Sequence, residues 1–345
     1  MSTAYTVFLT IGLLVSGVCI PLILSFQDYQ KVNDVEYFHQ PLLQATMIFL
    51  GEMICILIIH LVTKTPSLLD RSMLEAVQPH HSYGNDWVVP QTSVWSAAWF
   101  ILPSACDLIA TTLLNLGLIY TTPSIYQMVK SSIVGFSAIF SCLFLSRKFL
   151  RKEWTAILCI LVGTGAIIWS AYKESLTENV WGPVFLIVAQ LFVAGQFILE
   201  EYLMDRYHLD PVKAMGIEGV FGTILLSIAL TISAFFGRDI LDVRQGFQQL
   251  FGINVLWQSA LLLSFMVAIF NFFGLAVSTT VGIPGRSMID SLRTIITWIL
   301  AIHYGWDVFS WVELTGFVVL LLGVFIFNGV FKKSNLVGEN QPLLS

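Results

Sequence analysis

The sequence predicts an all-α integral membrane protein with ten transmembrane helices in two inverted five-helix repeats. Three observations carry that expectation. The 345 residues are 56% hydrophobic and only 11% charged, with a mean hydropathy of +0.80, which excludes an ordinary soluble domain. Ten apolar windows are each long enough to cross about 30 Å of hydrocarbon. The two halves of the chain also resemble each other in order along their length.

The first five windows cover 7–24, 42–62, 94–118, 125–145 and 154–172, and the second five cover 183–204, 214–236, 255–277, 283–302 and 312–330. The first has no basic stretch before it and no small-residue cleavage site, so it reads as a retained helix rather than a signal peptide. Connections are short except for 63–93. That stretch holds Pro66, Pro79, His80, His81 and Gly84 and is expected to be a flexible cytosolic loop. Between the seventh and eighth windows, Ile240, Leu241, Phe247 and Leu250 alternate with polar residues. This pattern suggests a short helix lying at the membrane surface.

Basic residues set the orientation. With the amino terminus in the cytosol, the cytosolic segments hold Lys64, Arg71, Arg147, Lys148, Arg151, Lys152, Arg206, Lys213, Lys332 and Lys333, against Lys31, Lys173, Arg238 and Arg244 on the other side. Both termini are therefore expected in the cytosol. The net charge of −5 decides nothing here. Cys19, Cys55, Cys106, Cys142 and Cys159 all fall in apolar windows, where they read as packing residues, and no metal-ligand spacing is present.

Residues 1–173 form the expected first repeat, 174–331 the second, and 332–345 a cytosolic tail. Val7-Phe8-Leu9 with Leu14 and Gly17 matches Val184-Phe185-Leu186 with Leu191 and Ala194, and Gln127-Met128-Val129-Lys130-Ser131 lies on Ser287-Met288-Ile289-Asp290-Ser291. The fifth and tenth windows each open near a tryptophan, Trp154 and Trp311. An odd number of spans per half makes the second copy enter the membrane from the opposite side, a plan common among secondary transporters.

Nine charged residues lie at least three residues in from a window end. Glu52, Asp107, Glu200, Glu201, Glu218 and Asp290 face only Lys130, Arg286 and Arg293 as counter-ions. Ionisable groups at this depth face a bundle interior or a watery cavity and by default mark a solute or ion pathway. Pairing cannot satisfy six acids with three bases, and a buried carboxylate without a partner takes up a proton. The surplus suits protons or cationic solutes, although Lys130 and the arginines could hold an anion. Helical spacing puts Arg286, Asp290 and Arg293 within roughly 60° of one another, so a purely structural ladder with Asp290 as counter-ion competes with a role in binding. Glu52 follows Gly51 and Glu218 precedes Gly219, placing each carboxyl where the backbone can approach a neighbour. Asp107 could merely accept from Thr111 and Thr112, and Glu201 reads as interfacial. Gln196 shares a helix face with Glu200 one turn away, while Tyr126 and Gln127 either line the Lys130 cavity or glue helices together.

The stretches Phe49-Leu50-Gly51-Glu52, Cys106-Asp107-Leu108, Gln127-Met128, Leu199-Glu200-Glu201, Glu218-Gly219-Val220-Phe221-Gly222 and Asp290-Ser291-Leu292-Arg293-Thr294 resemble the drug/metabolite transporter superfamily. Within it they resemble the F6-like members of the F-type subfamily of solute carrier family 35. Distant kinship with chloroquine-resistance-type transporters would follow, except that the loop between the seventh and eighth spans has no cysteine, so the disulfide-braced loop of that type is absent. The resemblance implies ten helices and a central cavity lined by the first four helices of each repeat. It implies no particular substrate.

The expected function is secondary active transport of a small polar or cationic solute across an endomembrane by alternating access, with protons as the coupling ion. The alternatives are a carrier of nucleotide sugars or other anionic metabolites, and a membrane scaffold that keeps a transporter fold. An enzyme is not expected, because the chain has no H-E-x-x-H helix, G-x-S-x-G elbow or P-loop. No cofactor, metal or nucleic acid is expected; the partners are the solute, the lipid bilayer and cytosolic sorting adaptors. Those adaptors would read Glu339, Leu343 and Leu344, an acidic dileucine pattern in the tail. It points to a lysosomal or vacuolar membrane, with the Golgi second.

Overall fold

The computed structural model describes residues 3–32, 37–64, 98–174, 181–207, 211–237 and 242–329. The 63–93 loop beyond Lys64, the Arg238–Leu241 part of the connection to the surface helix, and the dileucine tail lie outside the described residues. Helices α1 (Thr3–Asp28), α2 (Pro41–Lys64), α3 (Ile101–Ile119), α4 (Pro123–Lys130), α5 (Ile133–Phe144) and α6 (Arg151–Glu174) are followed by α7 (Trp181–Tyr207), α8 (Pro211–Phe236), α9 (Val243–Gly252), α10 (Asn254–His303) and α11 (Trp311–Phe327). Among the described residues, seven helical stretches are long and apolar enough to cross a membrane, with Pro41–Cys55 and Trp311–Phe327 as shorter apolar helices. The chain is a multi-pass membrane protein.

Lipid offers backbone groups no hydrogen-bond partners, so each crossing must satisfy its own, and the helix does this locally. Between helices, close packing rather than hydrophobic drive holds the bundle. At the α6–α11 seam a Cβ on Gly163 would sit 2.5 Å from the Gly316 carbonyl oxygen, and one on Gly323 would sit 2.7 Å from that of Ala156. Only glycine allows the two backbones so near. The other major pairings are α1 with α10, α3 with α7 and α2 with α10. A buried core including Phe38, Met47, Met128, Leu186 and Leu256 runs through the centre.

Helix α10 has helical backbone for 50 residues, which laid straight would span about 75 Å, more than twice the hydrocarbon thickness. It is not straight. The Arg286 guanidinium donates to the Gly274 carbonyl at 3.3 Å, although twelve residues of straight helix would separate these positions by about 18 Å. A Cβ on Gly17 would touch both Phe270 and Arg293, and Leu9 and Leu13 pack with Ala276, Val277 and Ile289 in one cluster. The chain doubles back between Gly274 and Arg286, where the sequence places Gly282, Pro284 and Gly285, residues that interrupt or bend a helical ladder. The two limbs correspond to the expected windows 255–277 and 283–302.

The expected 125–145 window is divided. Pro123 starts α4 behind the Thr122 cap, whose hydroxyl accepts from the Ile125 N–H at 3.3 Å, an arrangement that suits a helix start. The helix then stops at Lys130 and resumes as α5 at Ile133. Ser131 and Ser132 turn their hydroxyls back onto the Gln127 and Val129 carbonyls at 3.1 and 2.6 Å. They thereby compete with the main-chain ladder, and the backbone tightens locally to three-residue bonding.

The short helix expected before the eighth window forms as α9. Asp242 caps it by accepting from Arg244 and Gln245 at 3.0 and 3.3 Å. Val243, Gly246 and Leu250 are buried while Phe247 and Phe251 are exposed.

Candidate functional site

Four carboxylates from four different helices converge with one lysine. Glu52 comes from α2, Asp107 from α3, Glu200 from α7 and Glu218 from α8, all close enough to act on one another electrostatically, while Lys130 at the end of α4 acts on Glu52 and Asp107. Local contacts fix each helix. A Cβ on Gly51 would lie 2.5 Å from the Ser264 carbonyl oxygen, so α2 presses against α10, and Ser264 donates to the Met47 carbonyl at 2.8 Å. The glycine before Glu52 therefore provides the close approach expected of it. Ser104 on α3 donates to the Glu218 main-chain carbonyl on α8 at 3.0 Å, which brings Asp107 and Glu218 together.

Within the cluster, Thr111 donates to Asp107 at 3.3 Å, while Thr112 turns away to the Leu108 carbonyl at 2.8 Å. Gln196 is hydrogen-bonded to Glu200, and the Glu200 and Glu218 side chains are hydrogen-bonded to each other. The Lys130 ammonium lies 5.4 Å from the Tyr126 ring centroid, a cation–π contact. Gln127 is buried beside it on α4, with its amide oxygen unpartnered among the described residues. No three acidic, histidine or cysteine groups among the described residues are placed to ligate one metal ion.

The arginine stripe forms a second, separate constellation. Asp290 lies between Arg286 at 3.9 Å and Arg293 at 3.5 Å, on the second limb of α10. Arg293 also stands 5.1 Å from the Phe270 ring centroid with its Cδ against Gly17. A 3.5 Å contact between the Ser131 and Thr294 hydroxyls joins this limb to the break after Lys130. Glu201 stays outside both constellations, paired with Arg147.

Sequence reasoning passed over a third polar group at the far end of α1. Gln27, Asp28 and Gln44 are 0%, 5% and 0% exposed. Gln44 donates to Asp28 at 2.9 Å and Gln27 to Ser259 at 3.1 Å. Gln27 and Asp28 lie just beyond the 7–24 window, and Gln44 is an uncharged amide inside one. Gln27 beside Asp28, just past a span end, was the available signal.

No family model matches the chain. Solute carrier family 35 member F6 of Rattus norvegicus is 29% identical over 96% of this chain and 90% of its own. Its Homo sapiens namesake is 29% identical over 86% of this chain and 80% of its own. The chain is similar to these members of solute carrier family 35. An uncharacterized protein of Schizosaccharomyces pombe is 27% identical over 94% of this chain and 98% of its own. A solved crystal structure matches 97% of this chain and all of its own with a TM-score of 0.54 at 9% identity, a likeness of fold alone.

Proposed function

We propose that the chain is a secondary active carrier that moves a small cationic or polar solute across an endomembrane by alternating access, in exchange for protons. The observation that carries this reading is the convergence of Glu52, Asp107, Glu200 and Glu218 on a single lysine. Carboxylates contributed by four helices serve no single helix. Desolvated together, they are a site for positive charge. A solute cation and a proton would compete for the same carboxylates, and that competition is what exchange requires. The broken α4 beside Lys130 fits a carrier, since interrupted helices line solute sites in such folds.

Ten crossings in two inverted repeats, with both termini cytosolic, complete the reading. The pairing pattern supports it: the first span packs on α10 and the sixth on the third, while the fifth packs on the last, as a two-fold relation between halves would demand. The acidic dileucine Glu339, Leu343 and Leu344 supports residence in a lysosomal or vacuolar membrane. Against an anionic solute stands Asp290, which already occupies both arginines. A non-transporting scaffold would have no use for an acid surplus.

The test is uptake by the purified protein in liposomes, offered separate pools of cationic and anionic metabolites under an imposed pH gradient. Cation uptake driven by an opposing proton gradient is expected. Uptake confined to anions, or indifferent to the gradient, would overturn the reading.

A further inference from the structure

Asp28, the last residue of α1, is 5% exposed, yet it receives one neutral hydrogen bond, from Gln44 Nε2 to Oδ1 at 2.9 Å. Its Oδ2 has no partner among the described residues, and neither have the buried amide oxygens of Gln27 and Gln44. An ionised carboxylate left in this state is costly to bury, and oxygen atoms without donors are what a hard cation seeks. Among the described residues, the charged and titratable groups around it do not supply a counter-charge. On the 29–40 connection the bases are Lys31 and His39. Lys31 is exposed, with its ammonium 5.9 Å from the Tyr37 ring centroid. The His39 ring is hydrogen-bonded to the main chain of Asp28, and burial holds this imidazole below its ordinary value, so it is neutral near pH 7. Tyr29 and, beyond it, Asp307 add only potential negative charge. The groups that α2 and α10 contribute, Gln44 and Ser259, are neutral.

We propose that Asp28, with the amides of Gln27 and Gln44, forms a second binding position for a small inorganic cation, a proton or an alkali-metal ion, distinct from the central acid quartet. Gln44 lies eight residues before Glu52 on α2, about 12 Å along the helix, so the position stands in line with the quartet. It also lies where the end of α1 meets the opposite half of the chain. Gln27 reaches Ser259 on α10, and Tyr29 stacks on Trp306 at 5.7 Å. A cation bound here would hold this end together. As a coupling position it rests on the carrier reading above, whereas as a binding position it does not.

The test is thermal unfolding of the purified full-length protein in two arms: pH lowered from 8 to 5 in choline chloride, and sodium exchanged for choline at pH 8. The wild-type melting temperature is expected to respond in one arm, which identifies the cation. The difference between wild type and Asp28→Asn isolates this group from His39, Asp307 and the other titrating residues, and Asp28→Asn should lose that component of the response. Gln44→Met removes both the donor to the carboxylate and an amide oxygen of the site, so a proton midpoint should move about tenfold toward lower proton concentration and an alkali-metal midpoint about tenfold toward higher metal concentration. It carries the test if Asp28→Asn does not fold. Glu52→Gln with Glu218→Gln should retain the Asp28 component, so failure of the liposome assay alone sinks only the carrier reading. No wild-type response in either arm, or a response that neither Asp28→Asn nor Gln44→Met alters, would overturn the proposal.

Discussion

The acid quartet and the arginine stripe contain the same kind of residue at the same kind of depth, yet they are built in opposite ways. Arg286, Asp290 and Arg293 lie on one limb of one helix, and their charges meet through i,i+3 and i,i+4 spacing, which would hold in any fold that kept that helix. Glu52, Asp107, Glu200 and Glu218 come from four helices and meet only because the bundle brings them together. Charges that close locally can neutralise themselves and need no ligand. Charges assembled by tertiary structure, left with a surplus of one sign, await something from outside.

The largest effect should come from removing titration in the quartet while keeping its shape. Glu52→Gln combined with Glu218→Gln should lower gradient-driven uptake at least about tenfold, a loss of roughly 1.4 kcal/mol or more in transport free energy. What remains should be flat in pH, with folded protein near wild-type abundance. Unaltered pH dependence in the double variant would reduce these carboxyls to interhelical hydrogen-bonding partners and erase the contrast with the stripe.

Asp290→Asn should do the reverse. It leaves two guanidinium groups without their counter-ion, and breaking a buried pair costs about 3–5 kcal/mol in soluble proteins. With Asp290 34% exposed, the lower end is expected, which still reduces folded protein several-fold. Fluorescence-detected size exclusion would measure the loss. The surviving fraction should keep its pH-dependent uptake, and losing that dependence would move Asp290 into the pathway.

Lys130 sharpens the comparison with a smaller effect. It is the one base that acts on the quartet, and like charge repels a cationic solute. Lys130→Met should therefore lower the apparent KM for a cationic substrate several-fold. A raised KM would mean that the ammonium holds an anionic part of the solute.

What was legible in the sequence follows the same division. Charges inside apolar windows stand out, and all four quartet members were visible, as were both limbs of α10 as two separate apolar windows. The stripe geometry followed from helical spacing alone. Asp28 was not visible, because a carboxylate one step past an apolar window looks like an ordinary loop residue until the packing of α1 on α10 buries it. The break after Lys130 was equally hidden. Ser131 and Ser132 are tolerable in a helix, and only their back-bonding to Gln127 and Val129 stops α4. That the acids meet, rather than lying on separate faces, depends on Gly51 and Ser104 contacts between helices far apart in sequence.

The smallest expected effect concerns a direct side-chain contact between the helices of the two regions. Ser131 and Thr294 place their hydroxyls 3.5 Å apart, at the limit of a useful hydrogen bond, joining the broken helix beside Lys130 to the limb that carries Arg293. Each hydroxyl also bonds within its own helix, to the Gln127 and Asp290 carbonyls at 3.1 Å, so neither depends on the other for satisfaction. In a double-mutant cycle on uptake, Ser131→Ala and Thr294→Val should each change the rate less than about threefold, with a coupling below roughly 0.5 kcal/mol. Near-zero coupling would mean that the stripe only braces the bundle while the quartet binds. Coupling of 1 kcal/mol or more would show that the second limb of α10 moves with α4 during the cycle, making the arginine stripe part of the machine that opens and closes the site.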